Sequence, residues 1–151
     1  MKNADNKMRL CNQKGFTILE VLTAVSILTI GLLGVASMQI DAIRGNYFSD
    51  NTTCALALAE DKMERLLGLT YSNDELKDNV TTNNTNLNTI VSGNVDHEEL
   101  NIDEAGDNGG QFHRIWNIAD NLPMSNNKTI TVIVTWDQDK HRVSLSSIKR
   151  L

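Results

Sequence analysis

From Val21 to Ile40 the chain runs for 20 residues without an aspartate, glutamate, lysine or arginine. At ~1.5 Å per residue a helix of that length covers ~30 Å, the thickness of a bilayer core. The stretch predicts one helix able to cross a membrane once, and the other segments have to be arranged around it. Glu20 stands at its mouth, where an unpaired carboxylate costs on the order of several kcal/mol. No lysine or arginine lies between Phe16 and Arg44, so nothing within the apolar helix can neutralise it. The obvious candidate is a cation on another chain. Cutting the peptide bond between Gly15 and Phe16 would make one, a free amino group, and in a stack of such helices each Glu20 would meet the terminal amine of a neighbour.

The residues Lys14-Gly15-Phe16-Thr17-Ile18-Leu19-Glu20-Val21-Leu22 resemble the type III signal of prepilins, the subunits of type IV pili and of the related type II secretion pseudopili. The resemblance implies cleavage after Gly15 by a membrane prepilin peptidase and N-methylation of Phe16. It also implies that the helix enters a filament core, with Glu20 recognising the amino terminus of the next subunit. It covers the first third of the chain. Two other readings of this end fit the residues less well. A secretory signal peptide cleaved after Ser37 in Val35-Ala36-Ser37 conflicts with the glutamate and with the length of the apolar run. A lipoprotein signal at Cys11 has its hydrophobic segment on the wrong side of the cysteine.

Charge agrees with a division at Gly15. Lys2, Lys7, Arg9 and Lys14 against Asp5 give residues 1–15 a charge of +3, and the 10 basic and 18 acidic residues that follow give −8. The positive-inside rule keeps the leader in the cytoplasm and sends the rest across the inner membrane into the periplasm. A portion this acidic does not bind nucleic acid by electrostatics. Cys11 falls in the leader, so the remainder holds only Cys54 and no intramolecular disulfide can form there. Cys54 is expected to be a small core residue of a helix.

From Asp41 to about Leu69 the helical pattern continues and becomes amphipathic. Ile43, Tyr47, Phe48, Ala55, Leu56, Ala59, Met63, Leu66 and Leu67 recur at three- and four-residue steps, and Asp41, Arg44, Asp50, Glu60, Asp61, Lys62, Glu64 and Arg65 carry the charge, mostly as a solvated face. Gly31, Gly34 and Gly45 are either points where the helix bends or small residues that let helices approach in a bilayer. The segment Ala55 to Leu66 resembles that of PilV-like type IV pilus modification proteins and, less closely, a minor pseudopilin of type II secretion.

Residues 71–110 carry little periodicity. Asn83-Asn84-Thr85-Asn86-Leu87-Asn88 favours turns, with a short strand expected at Thr89-Ile90-Val91, and the whole reads as a variable connection. Asn51, Asn79, Asn83 and Asn127 each open an Asn-x-Thr triplet, which in an asparagine-rich chain arises by chance. His97, Glu98, Glu99, Asp103, Glu104 and Asp107 form an acidic cluster without the alternation of an EF-hand, so a solvated loop is expected and no metal or other cofactor. No catalytic set is visible, and the chain is expected not to be an enzyme.

The C-terminal part predicts an antiparallel sheet. Phe112–Ile118 and Lys128–Trp136 read as strands, the second with Ile130, Val132, Val134 and Trp136 on one face and Thr129, Thr131 and Thr135 on the other. Asp137-Gln138-Asp139-Lys140 makes a turn, and His141–Ile148 returns with Val143 and Leu145 inward. Pro123 and Met124 lie between strands. The last two strands also resemble the end of a PilV-like minor pilin. The expected class is α+β and pilin-like, with a long N-terminal helix packed on a small sheet. Its divisions are a cleaved leader at 1–15, a membrane-spanning and filament-core helix at 16–40, an amphipathic helix at 41–70, and an extracytoplasmic connection and sheet at 71–151. The function implied is that of a minor type IV pilin acting in pilus initiation and assembly, with adhesion and twitching motility downstream. Its partners would be the prepilin peptidase, other major and minor pilins and the inner-membrane assembly platform. The alternatives are a type II secretion minor pseudopilin and a single-pass anchored periplasmic binding domain.

Overall fold

A computed structural model describes residues 15–151. The leader residues Lys2, Asp5, Lys7, Arg9, Cys11 and Lys14 lie outside the described residues. The chain divides into two compact units, Met1–Arg44 and Gly45–Leu151. Helix α1 (Ile18–Gly68) has 51 residues and passes through Gly31, Gly34 and Gly45.

In the first unit the helix is apolar on every side. Ile18, Leu22, Ile27, Leu28, Ile30 and Leu33 are all largely exposed within the chain itself. A helix of that kind is covered by lipid or by other helices. Its hydroxyl groups are already satisfied. Thr23, Ser26, Thr29 and Ser37 donate to the carbonyls of Glu20, Leu22, Val25 and Gly34 at 2.7–2.9 Å. These side chains therefore need no water, which suits a segment removed from it.

In the second unit, the remainder of α1 lays one stripe on a four-stranded antiparallel sheet with strand order β1-β2-β3-β4. The strands are β1 (His97–Ile102), β2 (Phe112–Asp120), β3 (Asn127–Trp136) and β4 (His141–Arg150). Ala55, Leu58, Ala59, Met63 and Leu66 meet Phe112, Trp116, Ile118, Ile130, Val132, Val134 and Trp136. Ala55 and Ala59, one turn apart and both fully buried, let the helix come close to the sheet. The expected strands are thus present, each slightly longer than its pattern, and Trp136 belongs to the core. The turn at Asp137–Asp139 takes positive φ at all three residues.

Four expectations need correction. Leu56 and Leu67 stay over a third exposed and Ile43 is exposed, whereas Leu58 and Lys62 fill the buried stripe. The stripe that fits α1 to a flat sheet is narrower than the apolar residues available. The acidic cluster is not a solvated loop throughout, because His97–Ile102 pairs with β2 as strand β1. Thr89-Ile90-Val91 is not a strand. Finally, the connection is not a loose link. Thr131 is buried on the second face of the sheet, where Ile90 and Val95 of the connection pack on Ile115 and Ile133, and Thr135 is buried beside Asp139 of the following turn.

That cover is held by polar groups. The buried Asn117 of β2 donates to the carbonyls of Leu87 and Thr89 at 2.8 and 3.0 Å, and its side-chain oxygen accepts from Asp96 N–H at 3.1 Å. The Asp96 carboxylate accepts from the N–H groups of Val80 and Ile118 at 2.6 and 2.7 Å and from the Asn83 amide at 3.2 Å. Three of the four Asn-x-Thr asparagines, Asn51, Asn83 and Asn127, are buried in the folded domain.

Candidate functional site

Gly15 and Phe16 precede α1 outside any regular element, and Phe16 is 81% exposed. Thr17 starts the helix. Its hydroxyl oxygen accepts from Glu20 N–H at 3.2 Å, and its carbonyl accepts from Glu20 and Val21 N–H at 3.1 and 3.2 Å. This is the threonine half of a capping box, and it satisfies donors that the first helical turn leaves open. The pattern Thr17-Ile18-Leu19-Glu20 carries it, but sequence reasoning concentrated on Glu20 and passed over Thr17. Glu20 is the acidic residue of the first turn, where the helix dipole favours a negative charge. The nearest basic residue along the helix, Arg44, lies 24 positions on, or ~36 Å at ~1.5 Å per residue. Gly15, Phe16, Thr17 and Glu20 are consecutive or nearly so, and the cap fixes where the helix begins relative to the Gly15–Phe16 bond.

A second charged assembly lies within the folded domain. The Lys62 ammonium, 2% exposed, donates to Glu75 at 2.9 Å and to Glu99 at 3.0 Å, and stands 3.7 Å from the centre of the Trp116 ring. Arg114 Nε donates to the second oxygen of Glu99 at 2.7 Å, and its Nη1 donates to the Leu58 carbonyl at 3.2 Å. Trp116 Nε1–H donates to the Glu75 carbonyl at 3.0 Å, and His97 stacks on the Trp116 ring. Burial pushes the Glu99 carboxyl up, but the hydrogen bonds and charges of Lys62 and Arg114 outweigh it and hold the group below the ordinary carboxylate range. The cluster ties α1, the turn at Asp74–Leu76, β1 and β2 together. It is a structural tie with every charged partner already engaged.

The rest of the acidic segment folds on itself. Asp103 accepts from the N–H groups of Ala105 and Asp107, both at 2.9 Å. Among the described residues no three of histidine, cysteine, aspartate and glutamate are placed to hold a metal ion. Cys54 is half-buried, and burial pushes its thiol up, helped by the carboxylates of Glu104 and Asp50. His97, His113 and His141 occupy three different strands.

Residues 10–36 match the family model described as the prokaryotic N-terminal methylation motif. The match spans Gly15, Phe16 and Glu20 and ends within the apolar helix. It indicates a type IV pilin-like or pseudopilin-like protein, a class processed by a prepilin peptidase and assembled at a membrane with other pilins. The long apolar helix fits membrane anchoring, and the α+β arrangement of helix on antiparallel sheet is pilin-like. No curated protein and no solved structure matches the chain.

Proposed function

We propose that the chain is a minor type IV pilin that takes part in starting and extending a pilus. The peptidase cuts between Gly15 and Phe16, the new amine of Phe16 is methylated, and residues 1–15 are lost. Residues 16–40 hold the subunit in the inner membrane and then in the filament core, residues 41–70 support the domain, and residues 71–151 face the periplasm and later the cell surface. Other pilins and the inner-membrane assembly platform are its partners. The role is assembly rather than chemistry.

The observation that carries this reading is the register of the motif. Gly15, Phe16 and Glu20 lie within the matched residues 10–36, directly ahead of 20 uncharged residues. In a core of packed helices, pairing Glu20 with the amine of a neighbour selects the correct stagger, because a misplaced subunit buries two unpaired charges. N-terminal mass spectrometry of the protein from membranes and from sheared surface filaments tests the reading. A chain that begins at methylated Phe16 in both fractions supports it. A chain that retains Met1 in cells with an active prepilin peptidase refutes it. A processed chain confined to membranes and required for protein secretion would assign it to a type II secretion pseudopilus instead.

A further inference from the structure

The sheet has two open edges with matching hydrogen-bond phase and opposite charge. Strand β4 pairs with β3 in a single register from His141 to Arg150, with no bulge or proline. An unbroken edge of that length is a template for another strand. In an antiparallel ladder, alternate residues direct their N–H and C=O groups to opposite sides. The ladder can be followed from one fixed point. Ile118 N–H is bonded by Asp96 on the β1 side, so Trp116 and Arg114 also face β1, and Ile115 and Asn117 face β3. Counting outward through the paired registers leaves Arg142, Ser144, Ser146, Ile148 and Arg150 of β4 with backbone groups pointing away from the sheet. On β1 Glu98 faces outward by the same count, and Leu100 follows it at the start of a bulge between Glu99 and Ile102, where the register with β2 shifts. The ladder there starts at Glu98, since the Asp96 carbonyl is taken by Asn79, and stops at Asn101, whose carbonyl accepts from Gly109 and Gly110.

Charge separates the two edges. Strand β4 carries His141, Arg142, Lys149 and Arg150 with no acid, and β1 carries Glu98 and Glu99 with no lysine or arginine. Each edge also presents one large exposed aliphatic side chain on the same sheet face, Ile148 at 51% and Leu100 at 53%. Strands β1 and β4 run in opposite directions within the sheet, so a copy displaced by translation brings its β1 antiparallel to β4.

We propose that β4 of one copy pairs with β1 of a second copy, continuing the sheet, in the register Arg150–Glu98 and Ile148–Leu100. In that register Arg150 and Glu98 have their backbone groups directed at each other, so they can exchange two hydrogen bonds. Arg150 stands opposite Glu98, and Ile148 covers Leu100. Shifting by two residues sets Ser146 opposite Leu100 and Ile148 opposite Glu98, and loses both matches. The contact is heterologous and repeats from copy to copy. A ladder this short is weak in dilute solution, and confinement of the copies to one membrane raises the effective concentration that it needs. The pairing does not depend on cleavage or methylation of the N-terminus.

The test is disulfide trapping of the full chain in membranes of cells lacking prepilin peptidase, with Cys11→Ser and Cys54→Ser as background. Leu100→Cys and Ile148→Cys are placed on separate chains with tags of different length and co-expressed. Within one chain the two positions are three strand spacings apart across the sheet, about 14 Å, and roughly six residues apart along it, and cannot bridge. Across the proposed pair the Cα separation is about 5.5 Å, within disulfide reach. Oxidation is expected to give a mixed dimer of the two tagged chains, at least about tenfold more than Leu100→Cys with Ser144→Cys, which lies about 13 Å out of register. Arg150→Glu is expected to cut the yield several-fold, and Glu98→Arg in the partner copy to restore it. Equal yields at both registers, absence of the mixed dimer, or an adduct whose mass is not that of two copies would overturn the proposal. Both cysteine positions are exposed, so loss of the dimer with normal monomer levels counts against the pairing and not against the fold.

Discussion

A carboxylate removed from water requires a cation, and two glutamates of this chain meet that requirement differently. Glu99 finds Lys62 and Arg114 inside its own domain. Glu20 has an apolar helix ahead of it and, in the proposed reading, takes its cation from the neighbour's amino terminus. Glu20→Ala is therefore expected to leave cleavage at Gly15–Phe16 intact. It would leave the neighbour's amine unpaired at a cost of about 3–5 kcal/mol, lowering recovery in sheared filaments by about 100-fold or more relative to membranes. Processed Glu20→Ala recovered in filaments at the normal level would remove Glu20 from assembly. Glu99→Gln acts on the fold instead. It leaves two buried cations with a neutral partner, and because Glu99 keeps a third of its side chain exposed, the expected loss is about 2–4 kcal/mol by denaturant unfolding at neutral pH. The sign with pH follows from the depressed carboxyl. Its ordinary value is 4.5 and its folded value is lower, so the contribution is fully present above 4.5 and is lost as pH falls through the folded value. The gap between wild type and Glu99→Gln should accordingly hold from neutral pH down to 4.5 and narrow below it. A constant gap would mean that geometry, not charge, is what the substitution removes.

At the scale of elements, the segment with the least pattern turned out to carry long-range order. Residues 76–96 contain few apolar side chains, but Asp96, Asn83 and Asn117 knit them to the back of the sheet through hydrogen bonds between residues 21–34 positions apart. Asp96→Ala leaves the N–H groups of Val80 and Ile118 without their acceptor, at about 1–3 kcal/mol for each group. The expected result is a loss of about 2–4 kcal/mol, with hydrogen exchange rising first in residues 76–96 while β3 stays protected. Uniform exchange across the sheet would mean that the cover and the sheet unfold as one unit. The contrast explains what could be read from sequence. Strands β2, β3 and β4 announce themselves through alternation, since Val132, Val134 and Trp136 face a helix whose own apolar stripe is visible. The threonine face of β3 does not, because Thr131 and Thr135 are polar enough to suggest solvent yet are buried with their hydroxyls bonded to Ser146 and Asp139. Lys62 was hidden for the same reason. A lysine in a helix reads as surface unless the two carboxylates and the tryptophan that receive it are known, and those lie 13, 37 and 54 positions away. In the N-terminal motif, Gly15, Phe16 and Glu20 are legible because their spacing is strictly local. Thr17 was equally legible as a cap and was missed only because its role is shared by ordinary helices.

For the whole molecule, the decisive quantity is the asymmetry of charge about the apolar helix. Residues 1–15 carry +3 and the remainder −8, on either side of 20 uncharged residues. Basic residues close to one end of a spanning helix keep that end on the cytoplasmic side, so the leader should remain inside and the acidic domain should reach the periplasm. Cells without prepilin peptidase keep the leader attached and make both ends accessible to measurement. The native Cys11 then reports on one side of the membrane, and Ser125→Cys, at an exposed position between β2 and β3, reports on the other. Cys54→Ser removes the remaining thiol, although that group is half-buried and its raised pKa already keeps the reactive thiolate scarce. A membrane-impermeant maleimide given access to the periplasm should label Ser125→Cys and leave Cys11 unlabelled until the inner membrane is opened. Restoring the peptidase should abolish the Cys11 label in the mature chain without changing the label at Ser125→Cys. Labelling of Cys11 from the periplasmic side would place the +3 segment outside, against the potential and the charge rule together. In that case the bond between Gly15 and Phe16 would lie on the far side of the membrane, and Glu20 would have to find its cation among groups of that leaflet rather than at the amino terminus of a neighbouring subunit.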